Sequence, residues 1–206
     1  MARIKADVRR EEILKATCRE VIAHGFASTR VRDVAEALGV SSGLVFYHFT
    51  SKENLLGEAF RHAAEEHLDG LAATATAGGS ALERLDRILR LYFPAGSSAA
   101  WVLWIDAWSQ ALRDPELANI SRQLDLRWKQ TMAAVIGEGV AAGEFTCPDP
   151  DATAWRLTAL LDGLGVQVTV HKVATNGRLL DWVRAAAEAE LGLDPGALAA
   201  AGRSHR

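Results

Sequence analysis

The nineteen residues VRDVAEALGVSSGLVFYHF, Val31 to Phe49, constrain the fold of this chain more than any other stretch. Two short helical segments flank a tight turn at Gly39-Val40-Ser41. Val34, Ala35 and Leu38 recur on one face of the first segment, and Val45 and His48 recur on the second. Ala35 is small where the helices would cross, so their backbones can approach. Gly39 permits the positive φ that a turn there requires. This is the spacing of a helix-turn-helix, in which two helices cross at about 90–120° around a short turn. The second helix is then free to enter a DNA major groove, which is just wide enough to admit it. An ordinary helical hairpin has the same spacing.

The composition of the second segment separates the two readings. A hairpin built only for packing would fill it with Leu, Ile and Val. Instead it carries Ser41, Ser42, Gly43, Tyr47 and His48, whose natural partners are phosphate oxygens and base edges. Its end crowds Phe46, Tyr47, His48 and Phe49 together. Phe46 and Phe49 are expected to face inward and Tyr47 and His48 outward, with His48 also falling on the inner stripe beside Val45.

The remaining pattern is helical nearly throughout, and the fold class expected is all-α with nine helices. Asp7 is expected to cap the first, which ends at Gly25; Ser28 or Thr29 caps the second; Thr50 or Ser51 caps a long fourth. TATAGGS, Thr74 to Ser80, reads as a loop. Asp114 with Pro115 opens the seventh helix, and Asp149 or Asp151 the eighth. VQVTV, Val166 to Val170, is strand-like but lies inside a helical pattern, so it reads as helix. The tail after residue 192 is expected to fray.

Charge is unevenly placed. Residues 1–50 hold eight Lys/Arg against six Asp/Glu, a net of +2 in a chain whose net is −3. Arg3, Lys5, Arg9 and Arg10 form a basic front that could serve as a DNA-binding arm or as a solvated tail. Cys18 and Cys147 form no CxxC pair, so neither a disulfide framework nor a zinc site is expected. The N-terminal stretch lacks the apolar segment of a signal peptide, and no run approaches the ~20 apolar residues that span a bilayer. A cytoplasmic protein with no membrane partner is expected. An enzyme is not. His62 and His67 with Glu65 and Glu66 lack metal-site spacing, GEGVAAGEF follows a helix rather than a strand, and no Ser–His–Asp set can be argued. No cofactor and no metal are expected.

Residues 10–56 resemble the N-terminal domain of TetR-type transcriptional regulators. The match runs through Ile13, Leu14 and Ala16, then His24-Gly25-Phe26, then ST-x-VRDVAEALGVS and G-x-x-x-YHF-x-SKENLL. The resemblance implies a helix-turn-helix domain over residues 1–50 and a ligand-binding and dimerisation domain over 51–206. It implies a ligand-responsive regulator, by family default a repressor, that binds a near-palindromic operator as a homodimer. A regulator without a small-molecule effector is the alternative. By the same resemblance Thr29, Ser42, Tyr47, His48 and Lys52 would meet phosphates. Base reading would fall to Ser41, Ser42, Gly43, Leu44 and Arg32, with Leu44 able to meet a thymine methyl.

Trp101, Trp104 and Trp108 share a face at i, i+3 and i+7, and Trp128 sits among apolar residues of the next helix. Plain core packing accounts for such a stripe. The resemblance implies a pocket among helices four to seven, which these rings would wall, with His62, His67, Tyr92 and Asp162 as polar anchors. A small apolar or aromatic ligand fits, and the rings would also attract a cationic one such as a quaternary ammonium. WVLWIDAWSQALRDPEL loosely resembles choline-responsive regulators. Leu160, Gly163, Leu164 and Gln167 form a stripe on the eighth helix. It reads either as a buried central helix or, by the resemblance, as half of a two-fold four-helix dimer interface.

Overall fold

The computed structural model describes residues 2–92, 99–173 and 175–203, with backbone only for 2–7 and 176. Ten α-helices lie among them: α1 Ala2–His24, α2 Val31–Ala37, α3 Ser42–His48, α4 Lys52–Thr76, α5 Ala81–Tyr92, α6 Ala99–Ala111, α7 Pro115–Ala141, α8 Pro150–Val166, α9 Asn176–Leu191 and α10 Ala197–Ala201. No strand occurs among the described residues, so the all-α reading holds. VQVTV is helical, but Gln167–His171 widens into a π-helical turn that ends at Lys172 with a left-handed φ of 54°. No helix among the described residues is long and apolar enough to cross a membrane.

Several helix ends follow from single side chains. Asp114 accepts from the amides of Glu116 and Leu117 at 3.0 and 3.1 Å, and Asp149 accepts from Ala152 at 2.9 Å with Pro150 in the first turn. Each satisfies donors that a helix start leaves without a partner. Ser51 does the same for α4 through Asn54, at 3.0 Å.

Four boundaries differ from expectation. Helix α1 begins at Ala2, so Asp7 lies inside it rather than capping it. The cap position of α2 is Arg30, with no side-chain bond, because Thr29 turns back toward Gly25. Helix α4 runs on to Thr76, its Thr74 and Thr76 hydroxyls donating to the carbonyls of Gly70 and Ala72 one turn back. The tail forms α10 instead of fraying. The Glu188 carboxylate accepts from the amides of Gly196 and Leu198 at 2.9 and 3.0 Å, and Leu198 is fully buried.

The chain folds as two compact units, Met1–Glu66 with Ser98–Leu124, and His67–Ser97 with Asp125–Arg206. Helix α6 and the start of α7 therefore belong with the helix-turn-helix. In the first unit Ile13, Leu14, Val34, Val45, Phe49 and Leu55 form one core that binds α1 to α4 together. Burying each such side chain contributes about 1.5–3 kcal/mol. The second unit encloses a charge. Asp86 on α5 is fully buried between Arg90, one turn on, and Arg184 of α9, whose Nε donates at 2.8 Å. A buried carboxylate persists only when paired in this way.

Candidate DNA-reading helix and ligand site

The turn between α2 and α3 is fixed by backbone chemistry. The amide of Val40 donates to Ala35 and that of Gly39 to Glu36, both at 3.0 Å, with Gly39 at φ +63°. This pair of bonds closes a Schellman motif, which needs a left-handed residue at Gly39. Ser41 then caps α3, its hydroxyl oxygen accepting from Leu44 N at 3.3 Å. A helix of seven residues results, anchored by fully buried Val45, with Phe49 just beyond its end.

Its outer side carries Gly43, Phe46 and Tyr47, with Tyr47 81% exposed. Phe46 is 50% exposed and does not face inward as expected; it lies about 100° around the helix from Val45. Ser42, Leu44 and His48 are half-buried on the flanks, and the His48 ring stands edge-to-face with Tyr47 at 5.2 Å. Arg32 is exposed on α2. Lys52 donates to the carbonyl of Ala27 at 3.1 Å, which leaves two of its three N–H groups for other partners.

Three basic or polar candidates have partners within the protein. Thr29 is 2% exposed, and its amide and hydroxyl both donate to Gly25, at 3.0 and 2.8 Å. Both donors are engaged within the protein. Arg10 pairs with Glu58 at 3.1 Å and lies 4.9 Å over the Phe49 ring, while Arg9 pairs with Glu12 at 2.8 Å. The side chains of Arg3 and Lys5 lie outside the described residues.

The pocket candidates divide between the compact units. His62, Trp101, Trp104 and Trp108 are in the first. There Trp108 packs against Trp101 and Trp104, and Trp104 meets Phe60 edge-to-face at 4.8 Å. His67, Tyr92, Trp128 and Asp162 are in the second. His67 is exposed.

Tyr92 of α5, Trp128 of α7 and Asp162 of α8 come together. Tyr92 donates its hydroxyl hydrogen to Asp162, and its ring stands edge-to-face with Trp128 at 4.9 Å. The Trp128 indole N–H is buried with no hydrogen-bond partner among the described residues. One turn before Lys129, Asp125 pairs with its ammonium at 2.5 Å, and the same ammonium lies 3.9 Å over the Trp155 ring. Asp125 thus holds that ammonium, whose charge also acts on Asp162. Burial pushes the Asp162 carboxyl up to about 6, with Asp125 adding to the effect and the Tyr92 bond and Lys129 opposing it. Burial, reinforced by Asp162, holds the Tyr92 hydroxyl well above its usual range, so it stays a donor.

Asp125, Lys129 and Trp155 were not foreseen from the sequence. The Asp125–Lys129 spacing of four residues was a readable signal. The Lys129–Trp155 contact crosses between helices and left none.

Residues 13–59 match the family of bacterial regulatory proteins called tetR, and residues 81–192 match the C-terminal domain of BetI-type transcriptional repressors. The chain belongs to the TetR family. Among relatives of this TetR-family regulator, the transcriptional regulator BetI of Stenotrophomonas maltophilia is 30% identical over 162 residues, which cover 76% of this chain and 79% of the relative. BetI of Burkholderia mallei is 29% identical over 168 residues, covering 77% and 80%. A transcriptional regulator from Saccharomonospora viridis, solved in complex with choline, superposes with a TM-score of 0.80 at 31% identity, over 86% of this chain and 94% of that one. A TetR-family regulator from Rhodococcus sp. superposes with a TM-score of 0.74 at 28% identity, over 85% and 96%. The protein therefore regulates transcription by binding DNA, and its C-terminal match is to a repressor.

In this TetR-family chain α8 and α9 present apolar surface outward. Trp155 on α8 is 52% exposed, Val170 in the π-helical turn that follows it 51%, and Trp182 on α9 47%. Of the stripe read on α8, Gly163 and Gln167 are exposed, and Leu160 and Leu164 are half-buried.

Proposed function

We propose that this protein is a homodimeric repressor that binds a near-palindromic operator and is released by a small organic cation of the quaternary ammonium class. One observation carries the ligand class: a half-buried carboxylate, Asp162, accepts from the Tyr92 phenol, whose ring packs on the Trp128 indole, and its charge is disfavoured by burial and by Asp125, which is itself paired with Lys129. Adding a cation there relieves an unfavourable charge, and the aromatic rings attract it through their faces. A neutral planar ligand would leave that charge unanswered. The likeness to a choline-bound regulator supports the same class.

On the DNA side, Ser41, Ser42, Gly43 and Leu44 would meet the groove from α3, with Arg32 of α2. Tyr47, His48 and the two remaining Lys52 donors would meet the flanking backbone. Residues 1–50 would serve as the reading head and 51–206 as the ligand and dimer region. The outward faces of α8 and α9 would pair two copies, placing two α3 helices on successive major grooves about 34–36 Å apart. Release requires only that the cation bind the DNA-free arrangement more tightly than the DNA-bound one.

Calorimetric titration with choline chloride tests the ligand assignment. Saturable binding that Asp162→Asn weakens at least tenfold is expected. An absence of binding, or equal affinity in the variant, would refute it, and an effector-free regulator would be the remaining reading. Sedimentation tests the dimer: wild type should run as a dimer that Trp182→Glu dissociates, and a monomeric wild type would end that assignment.

A further inference from the structure

We infer that Asp106 is a positioning residue for DNA reading: from helix α6 it holds the segment that leads into the helix-turn-helix. The Asp106 carboxylate accepts the amide hydrogen of Phe26 at 2.6 Å, across eighty residues of chain. A carboxylate–amide bond of this kind is stronger than one between neutral groups. Gly25 makes the approach possible. Its φ is +84°, and a Cβ there would lie 3.2 Å from the Asp106 oxygen.

The rest of the segment is tied in turn to this point. The Gly25 carbonyl accepts both Thr29 donors, so Asp106 fixes the amide next to the group that orients Thr29. Two residues beyond Thr29 begins α2. A second line runs beside the first. The Phe26 ring is buried and stands edge-on to Phe60 at 6.3 Å, and Phe60 stands edge-on to Trp104 at 4.8 Å. Trp104 and Asp106 belong to the same helix, and every residue named lies in the first compact unit. Helix α6 therefore reaches the entry to α2 by two routes, one polar and direct, the other aromatic and relayed through Phe60 of α4.

The test needs no effector and is independent of the choline assignment. A duplex selected from a random pool by the wild-type protein serves as the specific site, and a scrambled duplex as the non-specific one. Asp106→Ala should weaken specific binding by about tenfold, the scale of one charge-assisted hydrogen bond. Non-specific binding, which depends on the charge of the surface, should stay within about twofold. Asp106→Asn keeps an acceptor for the Phe26 amide and should recover most of the specific affinity. Gly25→Ala, which crowds the same bond, should act in the direction of Asp106→Ala. A lesion in folding alone would lower both affinities in proportion. That outcome, or an unchanged ratio of specific to non-specific affinity in Asp106→Ala, would overturn the assignment.

Discussion

Tyr92 donates a hydrogen bond to Asp162 in surroundings that disfavour the charge on that carboxylate. The ordinary value of 3.8 rises to about 6, with burial as the main cause. A group raised on folding contributes stability below its unfolded value and loses it as pH rises through the folded one. At pH 7 Asp162 is ionised in both states, and folding is penalised. The two-unit rise corresponds to about 3 kcal/mol at ~1.4 kcal/mol per unit. Asp162→Asn keeps an acceptor for Tyr92 and escapes the penalty. Thermal melts should show the variant more stable than wild type at pH 7, with the difference shrinking between pH 6 and 4. A variant less stable at pH 7 would show that the carboxylate is not penalised.

The same carboxylate sets how a cation binds. Only ionised Asp162 answers a positive charge, so choline affinity should fall as pH drops through about 6. Below that point the loss approaches tenfold per pH unit, because each unit removes tenfold of the ionised form. Asp162→Asn should bind weakly with a flat profile. Titrations between pH 5 and 8 decide this, and a flat wild-type profile would place the cation elsewhere. A residue that lowers stability when empty and gains when occupied is one a ligand-gated protein has reason to keep.

How much of this was legible in the sequence depended on how local each cause was. The helix-turn-helix could be read because Gly39, Ser41 and Val45 act within a few residues of one another. Asp114 and Asp149 were readable caps for the same reason. Phe46 was misread because a seven-residue helix holds a single buried position, Val45, and two turns cannot fix a face. The partners of Thr29 and Arg10, the Gly25 carbonyl and Glu58, leave no trace in the sequence because they are matters of conformation rather than composition. Helix α10 gave little apolar stripe in an Ala- and Gly-rich tail; what holds it is a carboxylate eight and ten residues away. Tyr92 and Asp162 were candidates, but their hydrogen bond joins α5 to α8 and leaves no trace in spacing.

Tyr47 and Lys52 give a direct measure of the DNA surface. Tyr47 is exposed, and Lys52 keeps two donors after its bond to Ala27. If they meet phosphates, Tyr47→Ala with Lys52→Ala should weaken operator binding and reduce the slope of log affinity against log salt by about 2, the loss of one cationic contact in each subunit of the dimer. Fluorescence anisotropy across a salt series gives both numbers. A double variant with the wild-type slope would place the phosphate contacts elsewhere on the head.

Glu188 offers the sharpest test of what holds the C-terminal helix. The residue is 5% exposed, and its two carboxylate oxygens accept from the amides of Gly196 and Leu198. Helix α10 is only five residues long. Too short to persist by itself, it depends on these bonds and on the burial of Leu198. Glu188→Ala removes both acceptors and strands two donors, which should cost about 2–4 kcal/mol. Glu188→Gln retains one acceptor oxygen and should recover part of it. Hydrogen exchange separates local from global loss: in Glu188→Ala the amides of Gly196 and Leu198 should exchange faster while those of the α8 interior stay protected. Uniform acceleration across α8 and α9 would mean instead that Glu188 supports the whole second unit, and unchanged exchange at Gly196 and Leu198 would mean that Leu198 alone holds the helix in place.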